Sequence, residues 1–166
     1  MTCQPYAQLI EIKRWADRGL YQVVTEHFDR LTHEDRQITL RILDHIHVVD
    51  RIFQHHLQGL PHSFRAPRSE EAPDLDALAT HAREVDDWYV SYVDGLAQSD
   101  VEQPVDFVFT SGKPARMSRG EIILHVCLHG GYHRGNAGAL LQLKGFTPSQ
   151  DSVTDFLEAA ALEASR

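Results

Sequence analysis

Three histidines recur at every fourth position of the stretch Glu121 to Leu143: His125, His129 and His133. On a helix turning about 100° per residue they lie within about 80° of one another, so all three imidazoles share one face. Imidazole is the commonest metal ligand among side chains and the usual acid–base group near neutral pH. The rise of about 1.5 Å per residue puts His125 and His133 roughly 12 Å apart along the axis, too far to share one ion. Residues four apart are about 6 Å apart and can chelate together. The stretch therefore offers one HxxxH pair, either His125 with His129 or His129 with His133, and a metal needs a further ligand from another element. His45 is the natural donor, because it interrupts an apolar seam of Ile38, Ile42, Val49 and Ile52. Three neutral imidazoles with an open position suit a divalent ion such as Zn²⁺, Ni²⁺ or Fe²⁺.

The elements that must hold these residues are helical. Leu9, Ile10, Ala16, Leu20, Val23, Val24 and Phe28 recur at helical spacing, with Lys13 and Asp17 among the charges between them, and predict a first helix from Tyr6 to about Phe28. Thr32 is placed to cap a second helix that ends near Gln58, before Gly59 and Pro61. Off its seam, His47, His55 and His56 are expected on solvated faces or edges. The aperiodic segment from Pro61 to Pro73 reads as a loop, and Asp74 caps a third helix reaching about Gln98. Val105 to Phe109 has β character, Ser111-Gly112-Lys113 supplies a turn, and a small hairpin ending near Met117 follows. Ser118 and Glu121 have capping-box spacing and start the fourth helix, which runs to about Lys144. A short amphipathic segment from Ser152 to Glu163 closes the chain. Ile122 and Leu140 flank the histidine stripe on the wheel of the fourth helix, so that face is expected to point inward and bury its imidazoles. Gly131, Gly135, Gly138 and Cys127 fall opposite, where a neighbouring helix can approach closely.

Composition narrows the function. The chain of 166 residues is the size of one domain and is 42% hydrophobic and 24% charged. A formal net charge of −8 opposes nucleic-acid binding, which draws its affinity from clustered Lys and Arg. No apolar run is long enough for a bilayer and no export signal precedes the first helix, so a cytoplasmic protein without a membrane partner is expected. Two cysteines, Cys3 and Cys127, build neither a disulfide framework nor a CxxC zinc site. Eleven histidines are the anomaly.

The run from Asp44 to Phe53, DHIHVVDRIF, and the run from Ile123 to Gly135, ILHVCLHGGYHRG, closely resemble the DinB/YfiT-like family, with similarity extending from Arg14-Trp15-Ala16 to the Pro148 segment. The resemblance implies an all-α fold, an up-down-down-up four-helix bundle with a small β-hairpin before the last long helix and a short C-terminal helix. It implies one domain over residues 1–166, a homodimer, and a divalent metal on His45, His129 and His133. His125 matches a histidine one turn earlier in such sequences, read as pocket wall or support; Asn136 stands where the family commonly has Gln. His125, Asn136 and Asp44 are the candidate supporting groups, with Asp44 about 100° from His45 on its helix. Family members of known activity are thiol-dependent S-transferases and isomerases. A metal-dependent enzyme activating a low-molecular-weight thiol or water for a small-molecule substrate is the leading expectation, and a non-enzymatic metal- or ligand-binding helical protein the rival.

Overall fold

The computed structural model describes residues 4–165. Cys3 lies outside them. Among the described residues, five α-helices and one hairpin occur in the order α1 (Gln4–His27), α2 (His33–Gln58), α3 (Leu75–Asp94), β1 (Pro104–Val108), β2 (Pro114–Ser118), α4 (Arg119–Leu143) and α5 (Val153–Ala164), with single 3-10 turns at Phe28–Arg30 and Gln98–Asp100. No helix among the described residues is long and apolar enough to cross a membrane.

The helix starts follow from side-chain caps. Thr32 accepts from Asp35 N at 3.2 Å, Asp74 from Ala77 N at 2.8 Å, and Ser118 and Glu121 form the reciprocal capping box at α4. Glycine ends α2: Gly59 takes the left-handed conformation at φ 67°, and Leu60 N closes back onto His55 O at 2.9 Å. The third helix stops at Asp94, short of the expected Gln98, because Gly95 closes it while Leu96 still turns into the core.

Helix α1 packs on α3 and α4, and α2 on α3 and α4. Two apolar clusters fill the interior. One gathers Ile10, Phe53, Tyr89, Phe107 and Val126; the other gathers Leu20, Leu43, Leu78 and Leu141. The hairpin pairs antiparallel with Pro104 opposite Ser118 and Val108 opposite Pro114. It is pinned to the end of α2 by Phe107, whose ring meets that of Phe53 at 5.6 Å. Gly120 N donates to Val101 O at 2.9 Å, so the start of α4 is tied to the segment before the hairpin.

A charged layer separates the two clusters, and in the sequence Lys13 and Asp17 stand out only as charges between the apolar positions of the first helix. Lys13 is 2% exposed. Its Nζ lies 2.7, 2.8 and 2.6 Å from carboxylate oxygens of Asp17, Asp50 and Asp86. Arg134 bonds Asp17 at 3.0 Å and Asp151 at 2.7 Å. Burial opposes the Lys13 charge, but the three carboxylates override it and hold its pKa well above the usual value.

The buried face of α4 also differs from expectation. Val126, Gly130, Arg134, Ala137 and Leu141 point into the core, about a quarter turn round from the histidine stripe. The imidazoles therefore sit half-buried at the edge of that face. The glycine side takes no close-packed helix; the chain's own return covers part of it, with Pro148 Cβ 3.4 Å from where a side chain on Gly138 would begin. On α2, Ile38 is 43% exposed, so the Ile38–Ile42–His45 seam faces an open cleft while Leu40 and Leu43 fill the core.

Candidate metal centre

Helices α2 and α4 lie side by side and bring His45, His129 and His133 together: one ligand atom from each falls within 4.8 Å of the others. His45 Nε2 and His129 Nε2 are 3.0 Å apart, and the His45 ring lies 4.5 Å from that of His133. Two imidazoles on one tetrahedral ion with bonds of about 2.0–2.1 Å stand about 3.3 Å apart at their nitrogens. The cluster is thus at coordination spacing without a carboxylate in it, a donor set that fits a borderline divalent cation.

Two of the three rings are held from behind, each by a different device. His45 Nδ1 lies 2.6 Å from Pro67 O. A carbonyl only accepts, so the proton is on Nδ1 and the Nε2 lone pair faces the cluster. Asn136 Nδ2 is 3.5 Å from His133 Nδ1. Turning that amide end for end sets its oxygen to accept from Nδ1–H and leaves Nε2 of His133 free. His129 Nδ1 is buried without a protein partner. Burial lowers the pKa of His129 to about 3, with His45 and His133 adding to the effect, and burial lowers His133 as well. Neutral rings of this kind carry available lone pairs at ordinary pH.

The proposed supporting residues separate into distinct positions. His125 is not in the cluster; its ring stacks on His129 at 5.6 Å and leans on Phe53 at 4.6 Å, forming a wall. Asp44 turns away from His45, fully buried, and binds Ser69 through N at 2.8 Å and Oγ at 2.7 Å. It fastens the loop whose Pro67 carbonyl orients His45, so its influence on the ring passes through that loop. Cys127 stays apart, its thiol pushed up to about 12 by burial. His47, expected in solvent, is largely enclosed against the His81 ring at 5.7 Å.

A second convergence of acids, Asp17, Asp50 and Asp86, has metal-like spacing, yet the Lys13 ammonium already lies within 2.8 Å of all three. That charge fills the cation's role. Acids in the core seams of α2 and α3 were the available sequence signal for this layer: Asp50 is followed by Phe53 and Leu57, and Asp86 by Tyr89 and Val93.

The histidine cluster opens onto a cleft of about 410 Å³ lined by Gln37, Ile38, Arg41, Ile42, His45 and His133. A helical protein with a three-imidazole centre at the mouth of an apolar cleft is the class that fold and site define. The sequence matches the DinB family over residues 2–165, and the chain belongs to that family. A DinB-like protein from Bacillus cereus ATCC 10987, known from its crystal structure, has the same fold at a TM-score of 0.61 and 19% identity, covering 90% of this chain and 97% of that one. No curated protein matches the sequence.

Proposed function

We propose that this is a metal-dependent enzyme, of thiol S-transferase or hydrolase type, whose divalent cation is held by His45, His129 and His133. The observation that carries the reading is the convergence of three imidazoles beside an open, mostly apolar cleft. A divalent ion bound there supplies Lewis acidity, lowering the pKa of a thiol or water so that a nucleophile exists at neutral pH. Zn²⁺, Ni²⁺ and Fe²⁺ all accept such a donor set.

The chain's own groups do the positioning. Pro67 O and Asn136 orient two of the rings, and His125 with Phe53 keeps solvent from the inner side of His129. Ile38 and Ile42 offer an apolar bed for the substrate. Arg41 stands at the lip, its guanidinium held by Ser69 O and Glu70 O at 2.9 Å each. It is shared with an adjoining basin of about 680 Å³ that Arg65 and Arg68 also line. In a protein of net charge −8 this local positive rim favours a small molecule or low-molecular-weight thiol that carries an anionic group.

We read the four long helices as an up-down-down-up bundle forming one cytoplasmic domain. A homodimer would cover the apolar stripe of Leu124, Leu128 and Tyr132, exposed by 38%, 73% and 71%. Metal analysis beside His45→Ala and His133→Ala tests the centre: full occupancy in both variants removes it. Thiol-transfer and hydrolysis assays with metal-loaded and chelated protein test the activity. A large loss of thermal stability on chelation with no metal-stimulated turnover supports the rival, a structural or ligand-binding role.

A further inference from the structure

Between α1 and α3 lies a cavity of about 680 Å³ whose lining shares no residue with the histidine centre. The lining follows one face of each helix, with Ala79, Ala82 and Asp86 on α3 and Asp17 and Tyr21 on α1. Two alanines, where a closely packed helix pair would carry larger side chains, leave the space open. Its walls are mostly apolar, and its floor is the outer edge of the charged layer.

Two polar atoms at this floor have no hydrogen-bond partner among the described residues. Asp86 is 3% exposed and commits Oδ1 to Lys13 at 2.6 Å, which leaves Oδ2 without a donor. The Tyr21 hydroxyl is the other; burial raises its pKa well above the usual value, and the carboxylates of Asp17 and Asp86 add to the effect. An enclosed carboxylate oxygen without a donor is unfavourable until one reaches it. Lys13 serves the inner side only. Arg134 divides its charge between Asp17 and Asp151, so the three carboxylates around Lys13 retain surplus negative charge. A cation entering from the cavity meets that surplus at Asp86. The rim does not reverse the sign, because Arg18 is paired with Asp87 at 3.4 Å and Glu26 shares the rim with Arg83. A metal ion would need several oxygens, whereas the apolar walls suit the body of an organic molecule.

We propose that this cavity binds a small organic amine in its ammonium form, one N–H donating to Asp86 Oδ2 and another to the Tyr21 hydroxyl oxygen, with an alkyl or aryl body against Ala79 and Ala82. The groups facing Asp86 are Lys13, Asp17 and Tyr21 from α1 and Asp50 from α2, with Arg83 near it on α3. Burial, opposed by Lys13 and assisted by Asp17 and Asp50, raises Asp86 to about 7. The carboxylate that holds the ammonium therefore forms between pH 6 and 8, and amine affinity should rise about 10-fold across that interval.

Isothermal titration calorimetry of the full chain with 2-phenylethylamine, the uncharged 2-phenylethanol and the anion 3-phenylpropionate tests the site at pH 6 and pH 8. The amine should bind more tightly than either analogue, and more tightly at pH 8. Asp86→Asn should weaken it about 10-fold or more and flatten the pH dependence. Ala79→Leu fills the cavity, leaves the charged layer intact and should abolish binding, so the test stands even where Asp86→Asn fails to fold; circular dichroism verifies each variant. Removing metal with a chelator should leave amine affinity unchanged, which separates this site from the histidine centre. No amine binding at millimolar concentration, an alcohol or anion that binds as tightly as the amine, or amine affinity unchanged in Ala79→Leu overturns the site.

Discussion

Replacing Lys13 with Met removes one ammonium from contact with three buried carboxylates and leaves a side chain of similar length. Lys13 and Arg134 carry two positive charges against the three negative charges of Asp17, Asp50 and Asp86, and Arg134 divides its charge with the part-exposed Asp151, so the intact layer has a surplus of negative charge when fully ionised. Burial, acting against Lys13, raises Asp50 to about 6 and Asp86 to about 7, and the neighbouring carboxylates add to the effect. Without Lys13 the surplus grows by one charge. Breaking one partner out of a buried ionic group costs about 3–5 kcal/mol, and that loss is expected for K13M at pH 8.

At pH 5 the loss shrinks. Carboxylates whose folded pKa is raised contribute stability that is fully present below their unfolded value near 3.9 and is lost as pH rises through about 6 to 7. Each unit of added shift is worth about 1.4 kcal/mol, so protonation should return about 1–2 kcal/mol to the variant at pH 5. Adding Asp86→Asn to K13M should recover a similar amount at pH 8. Urea unfolding followed by far-ultraviolet circular dichroism measures all three proteins at both pH values. A K13M loss below about 1 kcal/mol at pH 8, or an equal loss at both pH values with no recovery from Asp86→Asn, refutes the charge-layer account.

Asp44→Ala releases Ser69 and loosens the loop behind His45; metal affinity, measured by competition with a chromogenic chelator, should fall about 10-fold or more without being abolished. Gly120→Ala would put a Cβ 2.6 Å from Val101 Cγ1 and 2.7 Å from the Tyr6 hydroxyl, and the overpacking should cost about 1–3 kcal/mol in denaturant unfolding. His47 is lowered to about 4, chiefly by burial and then by His81 and Arg51. Its contribution to apo-protein stability is present above the unfolded value near 6.5 and lost as pH falls toward 4. His47→Leu should flatten the acid limb of the urea midpoint between pH 7 and 4.5, and an unchanged limb counts against a buried neutral ring.

The hairpin, the caps at Thr32, Asp74 and Ser118, and the short last helix were legible because each rests on local chemistry: a hydroxyl or carboxylate beside an orphan N–H, a β-branched run before a Gly turn, or a short amphipathic repeat. Spacing confined the α4 ligands to one HxxxH pair, and the folded chain gathers His129 and His133 with His45. Which way the helices faced was harder to read. Periodicity locates an apolar stripe to within about one residue, or 100°, and α4 buries Gly130 and Arg134 where a hydropathy pattern would not look. The burial of Lys13 was not legible, because its three partners come from α1, α2 and α3 and no local pattern joins residues 13, 50 and 86.

The carbonyl of Pro67 that orients His45 belongs to the main chain, so no side-chain replacement can delete it. What the ring requires is that some residue present its C=O at that place, held there through Ser69 by Asp44. Point changes at position 67 should therefore leave His45 aligned, whereas adding or removing one residue between Pro61 and Ser69 would slide the carbonyl out of reach. The segment is thus constrained in length more than in the identity of residue 67.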